Sequence, residues 1–115
     1  MSGGERQSIA IGRAVYFGQK LLILDEPTSA LSVGETQKVL DYTIAAKEKG
    51  MSVIFITHNI RHVYEVADRF TIIERGRKLG DFFKSEVTEK EVADMIVTGQ
   101  VPERLRLYDV EEGGD

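Results

Sequence analysis

The sequence predicts an α/β fold built on a mostly parallel sheet. Two short aliphatic runs, Leu21-Leu22-Ile23-Leu24 and Val53-Ile54-Phe55-Ile56, have the length of strands. Continuous apolar runs suit strands covered on both faces, as in parallel sheets. A stretch of helical periodicity lies between them, and a strand–helix–strand unit makes its two strands parallel with a right-handed crossover. The runs also end unusually, the first at Asp25-Glu26-Pro27 and the second at Thr57-His58-Asn59. In open α/β sheets the carboxyl ends of the strands border the ligand crevice. Asp25, Glu26 and His58 are therefore expected on one rim, although far apart in the chain.

The elements follow in order. Ser2 and Glu5 form a capping box that opens a helix, with Ile9, Arg13, Ala14 and Phe17 at helical spacing until Gly18. Strand 20–24 comes next. Ser32 and Glu35 cap a second helix, 33–49, with Val39, Leu40, Thr43, Ile44 and Lys47 on one face and Gly50 as its stop. Strand 52–57 leads into a short helix from Asn59 to Ala67. Residues 69–74 read as a third strand, Arg75-Gly76-Arg77 as a turn, and 78–83 as the returning arm of a hairpin. Thr88 and Glu91 cap an amphipathic helix with Val92, Met95 and Ile96, which ends at Gly99. The expected boundary falls at residue 98. Residues 99–115 form a polar, acidic tail expected to be flexible.

Composition narrows the function classes. With 115 residues, one domain is the upper limit. A net charge of −4 gives no electrostatic footprint for nucleic acid, and none is expected as a partner. The absence of cysteine excludes disulfides and thiolate chemistry and is compatible with a reducing compartment. No apolar segment approaches the roughly 20 residues of a membrane helix, and no signal peptide is visible.

An acid that closes an apolar strand suits magnesium in nucleotide enzymes, which points to Asp25. Glu26 can serve as a base wherever it reaches a water. The plainer reading makes both acids helix caps or solvated strand ends. It suits one acid better than a pair after four aliphatics. Ser2-Gly3-Gly4 opens a helix, whose free N–H groups and positive dipole end favour an anion. Alone, this tetrapeptide with Glu5 reads as simple capping. His58 alone reads as a surface or core histidine, and His62 as an ordinary helix residue. Arg13, Arg75, Arg77 and Lys78 read as solvated charge.

Taken together, the motifs resemble those of ABC-type ATPases. Ser2-Gly3-Gly4-Glu5-Arg6-Gln7 resembles the signature motif, and Leu21 to Glu26 the Walker B strand. Ser29-Ala30-Leu31-Ser32 resembles the D-loop, and His58 the switch histidine. All four stand in the family's order, and the likeness extends to about residue 98. It implies a partial P-loop NTPase-like, three-layer fold. It also implies that Ser2, Gly3, Gly4 and Glu5 face the γ-phosphate of ATP on an opposite subunit. By the same likeness Asp25 holds Mg2+, usually through water, Glu26 is the catalytic glutamate and His58 senses the γ-phosphate.

Three departures stand out. Met1 replaces the family's leucine, and Ser32 replaces the aspartate that ends the D-loop. Ser32 still caps a helix but supplies no carboxylate to couple two nucleotide sites. No G-x-x-x-x-G-K-[ST] loop is present, so the phosphate cradle, the Q-loop and the base-stacking aromatic are expected upstream of residue 1. The chain thus reads as the C-terminal portion of a nucleotide-binding domain.

Residues 8–18 and Thr57-His58-Asn59-Ile60, with Val63 and Ala67-Asp68-Arg69, resemble bacterial importers of simple sugars. The likeness implies ATP and Mg2+ as cofactors and a second nucleotide-binding domain, identical or different, as dimer partner. It further implies transmembrane permease subunits, an indirect periplasmic solute-binding protein, and a peripheral place on the cytoplasmic face of the inner membrane. Two alternatives remain: a non-transport ATPase of the same family, and a non-catalytic remnant or interaction module.

Overall fold

The computed structural model describes residues 2–106, which divide into two compact units at Val66/Ala67. The first unit contains α1 (Gly3–Tyr16), β1 (Leu21–Asp25), α2 (Val33–Glu48), β2 (Ser52–Ile56) and the single-turn α3 (Ile60–Val63). β1 and β2 pair in parallel, Leu21 opposite Ser52 through Asp25 opposite Ile56. That register carries the argument for the site, because it sets the ends of the two strands side by side.

Helix-to-sheet packing builds the core of this unit. Ile11 of α1, Leu24 of β1, Val39 and Ala46 of α2, and Met51 are buried together. Each large side chain so buried contributes about 1.5–3 kcal/mol. Both expected capping boxes form: the Ser2 and Ser32 hydroxyls accept from the backbone N–H of Glu5 and Glu35, each at 3.1 Å. Such caps contribute about 1 kcal/mol each.

Several local expectations shift. α1 buries Gly4 and Ile11, whereas Ile9 and Phe17 are exposed. α2 turns Thr36, Val39, Leu40, Thr43 and Ala46 inward, leaving Ile44 at the surface, while the Lys47 ammonium reaches the Val66 carbonyl at 2.7 Å. The helix expected over 59–67 is one turn. Asn59 makes no capping bond there, and its amide nitrogen lies 3.3 Å from His62 Nε2.

The strands are covered on one face only. Leu21, Ile23, Ile54 and Ile56 are 46–58% exposed, on the face opposite Leu24. The core side chains that meet this two-stranded sheet come from α1, α2 and Met51. Among the described residues the first unit therefore has two of the three expected layers. An uncovered apolar sheet with free edges is also an aggregation surface.

The second unit is a hairpin with a helix. β3 (Arg69–Glu74) and β4 (Arg77–Phe83) are antiparallel, with a register irregularity after Ile72. Arg75 and Gly76 carry φ of 51° and 74°, as a type I′ turn requires. A 3₁₀ turn (Lys84–Glu86) leads to α4 (Glu89–Thr98), capped by Thr88 and closed by left-handed Gly99. Buried side chains include Phe70, Ile72, Phe82, Val87, Val92 and Met95.

Residues 99–106 fall in the expected tail, yet Leu105 is fully buried. The Arg104 guanidinium donates to Glu91 at 2.6 Å and to the Glu86 carbonyl at 2.9 Å. Leu105 and Arg104 help anchor this stretch; residues 107–115 lie outside the described residues.

Two ion pairs in this unit predict acid sensitivity. The Arg69 guanidinium holds the Asp81 carboxyl at about 2 against an ordinary 3.8, and Arg104 holds Glu91 at about 2 against 4.5. Folded values below the ordinary ones mean stability that is present above about pH 4.5 and lost as pH falls toward 2. Circular-dichroism melting temperatures should therefore drop across that window, and Asp81→Asn should flatten part of the drop. A melting temperature that stays level down to pH 2 would refute this.

Candidate functional site

The parallel register delivers Asp25, Glu26 and His58 to one rim. The Glu26 backbone N–H donates to the Ile56 carbonyl at 2.7 Å, extending the ladder by one residue. Beyond it, His58 Nδ1 lies 2.7 Å from Glu26 Oε1. An ionised carboxylate only accepts, so Nδ1 carries the proton in this contact. The hydrogen bond from His58 is the largest cause that lowers the Glu26 pKa, so the carboxylate stays ionised at neutral pH. His58 is 80% exposed, which leaves its Nε2 edge open to a ligand.

Glu26 also has φ of +49°, a left-handed conformation that non-glycine residues adopt at a cost of about 1–2 kcal/mol. Such outliers persist where surrounding contacts enforce them, and they cluster at functional sites. Here the enforcing contacts are the bond to Ile56, a turn from the Ser29 N–H to the Glu26 carbonyl at 3.3 Å, and the buried Pro27 and Thr28.

The segment Ser29-Ala30-Leu31-Ser32 continues as a second turn, with the Leu31 N–H donating to the Thr28 carbonyl at 3.3 Å. Ala30 is left-handed at φ 62°, and Leu31 packs on the core. Ser32 caps α2, as expected.

Ser2, Gly3, Gly4 and Glu5 form the first turn of α1 and its cap, and the same structure ties them to α2. Glu35 Oε2 accepts from the Gly4 N–H at 3.3 Å. The Ser2 hydroxyl, then the Gly4 N–H, are the main causes that lower the Glu35 pKa. A Cβ on Gly4 would stand 2.9 Å from Glu35 Cβ, and one on Gly3 would stand 3.0 Å from a Leu31 methyl. Gly4 is thus required by packing within the chain, besides any phosphate, whereas a small shift of the Leu31 side chain would make room at Gly3. No side-chain hydrogen bond links residues 2–5 to Glu26 or His58 among the described residues.

Asp25 ends β1 exposed, and its carboxylate makes no hydrogen bond or ion pair among the described residues. No cluster of three or more potential ligands exists among them. A single free carboxylate fits Mg2+, which keeps several waters and takes phosphate oxygens. It does not fit a metal caged by protein alone.

Sequence reasoning passed over three residues here. Thr28 is 2% exposed, and its hydroxyl lies 2.9 Å from His62 Nδ1. Glu35 was visible only as a capping-box partner, and His62 carried no local signal at all.

Residues 1–29 match the family described as ABC transporter. The xylose/arabinose import ATP-binding protein XylG of Sulfolobus acidocaldarius is 45% identical over 98 residues, covering 85% of this chain and 39% of that protein. The fructose import ATP-binding protein FrcA of Rhizobium meliloti is 38% identical over 104 residues, covering 90% and 40%. A solved ATP-binding cassette of an ABC transporter, MJ1267, superposes with a TM-score of 0.68 over 94% of this chain and 40% of its own; at 22% identity it shows the shared fold. The chain spans 39–40% of the length of these two import proteins. Its likeness is thus to the ABC transporter family, and within it to a portion of the ATP-binding proteins of sugar importers.

Proposed function

We propose that the chain forms part of the ATP-hydrolysing subunit of a carbohydrate importer. The observation that carries this reading is the Glu26–His58 contact at the adjoining carboxyl ends of two parallel strands. The likeness to xylose/arabinose and fructose import proteins supports the substrate class. The phosphate-cradling loop would come from residues outside this sequence.

In this reading a water attacks the γ-phosphorus while Glu26 takes up the proton the water loses. The bond from the γ-phosphorus to its bridging oxygen breaks, giving ADP and phosphate. His58 orients the carboxylate through Nδ1 and offers its Nε2 edge to the γ-phosphate. Asp25 would hold Mg2+, whose charge offsets that of the triphosphate. Catalysis is then positioning plus charge stabilisation.

The N-terminus of α1, with Ser2, Gly3 and Gly4, would face ATP on a second nucleotide-binding domain. Glu35 holds that N-terminus against the end of the 29–32 loop, which would pass along the dimer interface. The partners are that second domain, transmembrane permease subunits and, through them, a solute-binding protein. Among the described residues no helix is long and apolar enough to cross a membrane, which agrees with a peripheral subunit on the cytoplasmic face.

Cells lacking the gene should lose most uptake of at least one radiolabelled sugar among xylose, arabinose, fructose and ribose, and the restored gene should recover it. Unaltered uptake of all four would overturn the carbohydrate assignment and favour a non-transport ATPase.

A further inference from the structure

We propose that His62 is a positioning residue for hydrolysis, clamping the turn after Glu26 to the turn after His58; this rests on the catalytic reading above. Thr28 stands two residues beyond Glu26, and Asn59 directly follows His58. His62 touches both: Nδ1 is 2.9 Å from the Thr28 hydroxyl, and Nε2 is 3.3 Å from the Asn59 amide nitrogen. An amide NH2 group only donates, so Nε2 accepts and bears no proton. Nδ1 then carries the proton and donates to Thr28. The neutral ring in this single tautomer satisfies both neighbours.

The clamp has a definite task. Glu26 is held left-handed, which its backbone would otherwise relax. Thr28, 2% exposed, has no other side-chain partner for its hydroxyl among the described residues. Remove the imidazole, and a buried hydroxyl loses its bond while the turn loses its tie to the His58 side. The carboxylate and imidazole in contact at 2.7 Å then drift apart. A displacement of about 1 Å at reacting groups can cost roughly 10²-fold in rate.

The test uses the complete ATP-binding subunit that contains this chain. His62→Ala and Thr28→Val should each lower kcat by roughly tenfold, with KM for ATP within about twofold of wild type. The double variant should be no slower than either single one, because both remove one contact. His62→Asn places an amide nitrogen where Nδ1 stood and should return kcat to within about threefold of wild type. Through-space NMR contacts between the Glu26 side chain and the His58 ring should be lost in His62→Ala and kept in His62→Asn.

Wild-type turnover in His62→Ala, additive losses in the double variant, or no rescue by asparagine would overturn the proposal. If Glu26→Gln stays active while the Glu26–His58 contact is still lost in His62→Ala, the catalytic reading fails and the clamp stands. If Glu26→Gln is inactive and His62→Ala changes neither the rate nor the Glu26–His58 contact, the clamp alone fails.

Discussion

Glu26→Gln, placed in the complete subunit, should reduce steady-state ATP hydrolysis by roughly 10²–10⁴-fold, the contribution of a positioned general base. The substitution is unusually clean at this position. Glutamine has the same length and branching, so the left-handed backbone at φ 49° is burdened no differently. Its amide oxygen can still accept from His58 Nδ1, the contact seen at 2.7 Å. Only the negative charge and the basic oxygen are lost. ATP-driven dimerisation should survive, because it draws on phosphate contacts rather than on proton transfer. Size-exclusion chromatography with light scattering, alongside phosphate release, separates the two effects. Near-normal turnover would remove Glu26 from the role of base. The hydrogen bond from His58 lowers the Glu26 pKa below the ordinary 4.5, so any acid-side loss of turnover from its protonation should have its midpoint below that value.

His58→Ala should lower kcat by about 10²-fold, the scale of losing one well-placed donor at a reacting centre. One observed contact disappears, the bond that orients Glu26, and with it, on the proposed reading, the Nε2 edge that would meet the γ-phosphate. The side chain is 80% exposed, so little packing is lost. Surface changes of this kind leave stability within about 0.5 kcal/mol. Turnover should therefore fall while the melting temperature stays put, and a combined measurement of both decides the matter. Unchanged turnover would demote His58 to an orienting ornament of the turn. A large loss of melting temperature would instead make its role structural.

Glu35 links the α1 N-terminus to the loop that leads into α2. Its carboxylate already lies on the Gly4 N–H, part of the amide set that an ATP γ-phosphate would approach. Two anions at one helix end repel unless their approach angles differ or the carboxylate moves. Ser32, which stands where the resembled D-loop pattern ends in aspartate, lies three residues before Glu35. Negative charge is thus not absent from this corner of the molecule. It enters one turn later in the chain.

How legible was all this? The capping boxes at Ser2, Ser32 and Thr88 were readable because each is closed by a bond between residues three apart. The paired strands were readable because aliphatic runs and chain connectivity constrain direction. The faces of α1 and α2 were read less well. Ile9, Phe17 and Ile44 are apolar at helical spacing yet exposed, since periodicity alone does not say which side finds a partner. For the same reason both strand runs looked fully covered, while one face remains open among the described residues.

Local order along the chain was enough to name the elements, their caps, and the acids and imidazole that close the strands. It was enough to expect these groups on one rim, because parallel pairing leaves few alternatives. The contacts that shape the site join residues 31 to 34 positions apart: Gly4 with Glu35, Glu26 with His58, and Thr28 with His62. Nothing in a window of a few residues encodes them. They arise when the β1–β2 register and the packing of α1 on α2 fix the backbones, after which side-chain length and hydrogen-bonding capacity select the partners.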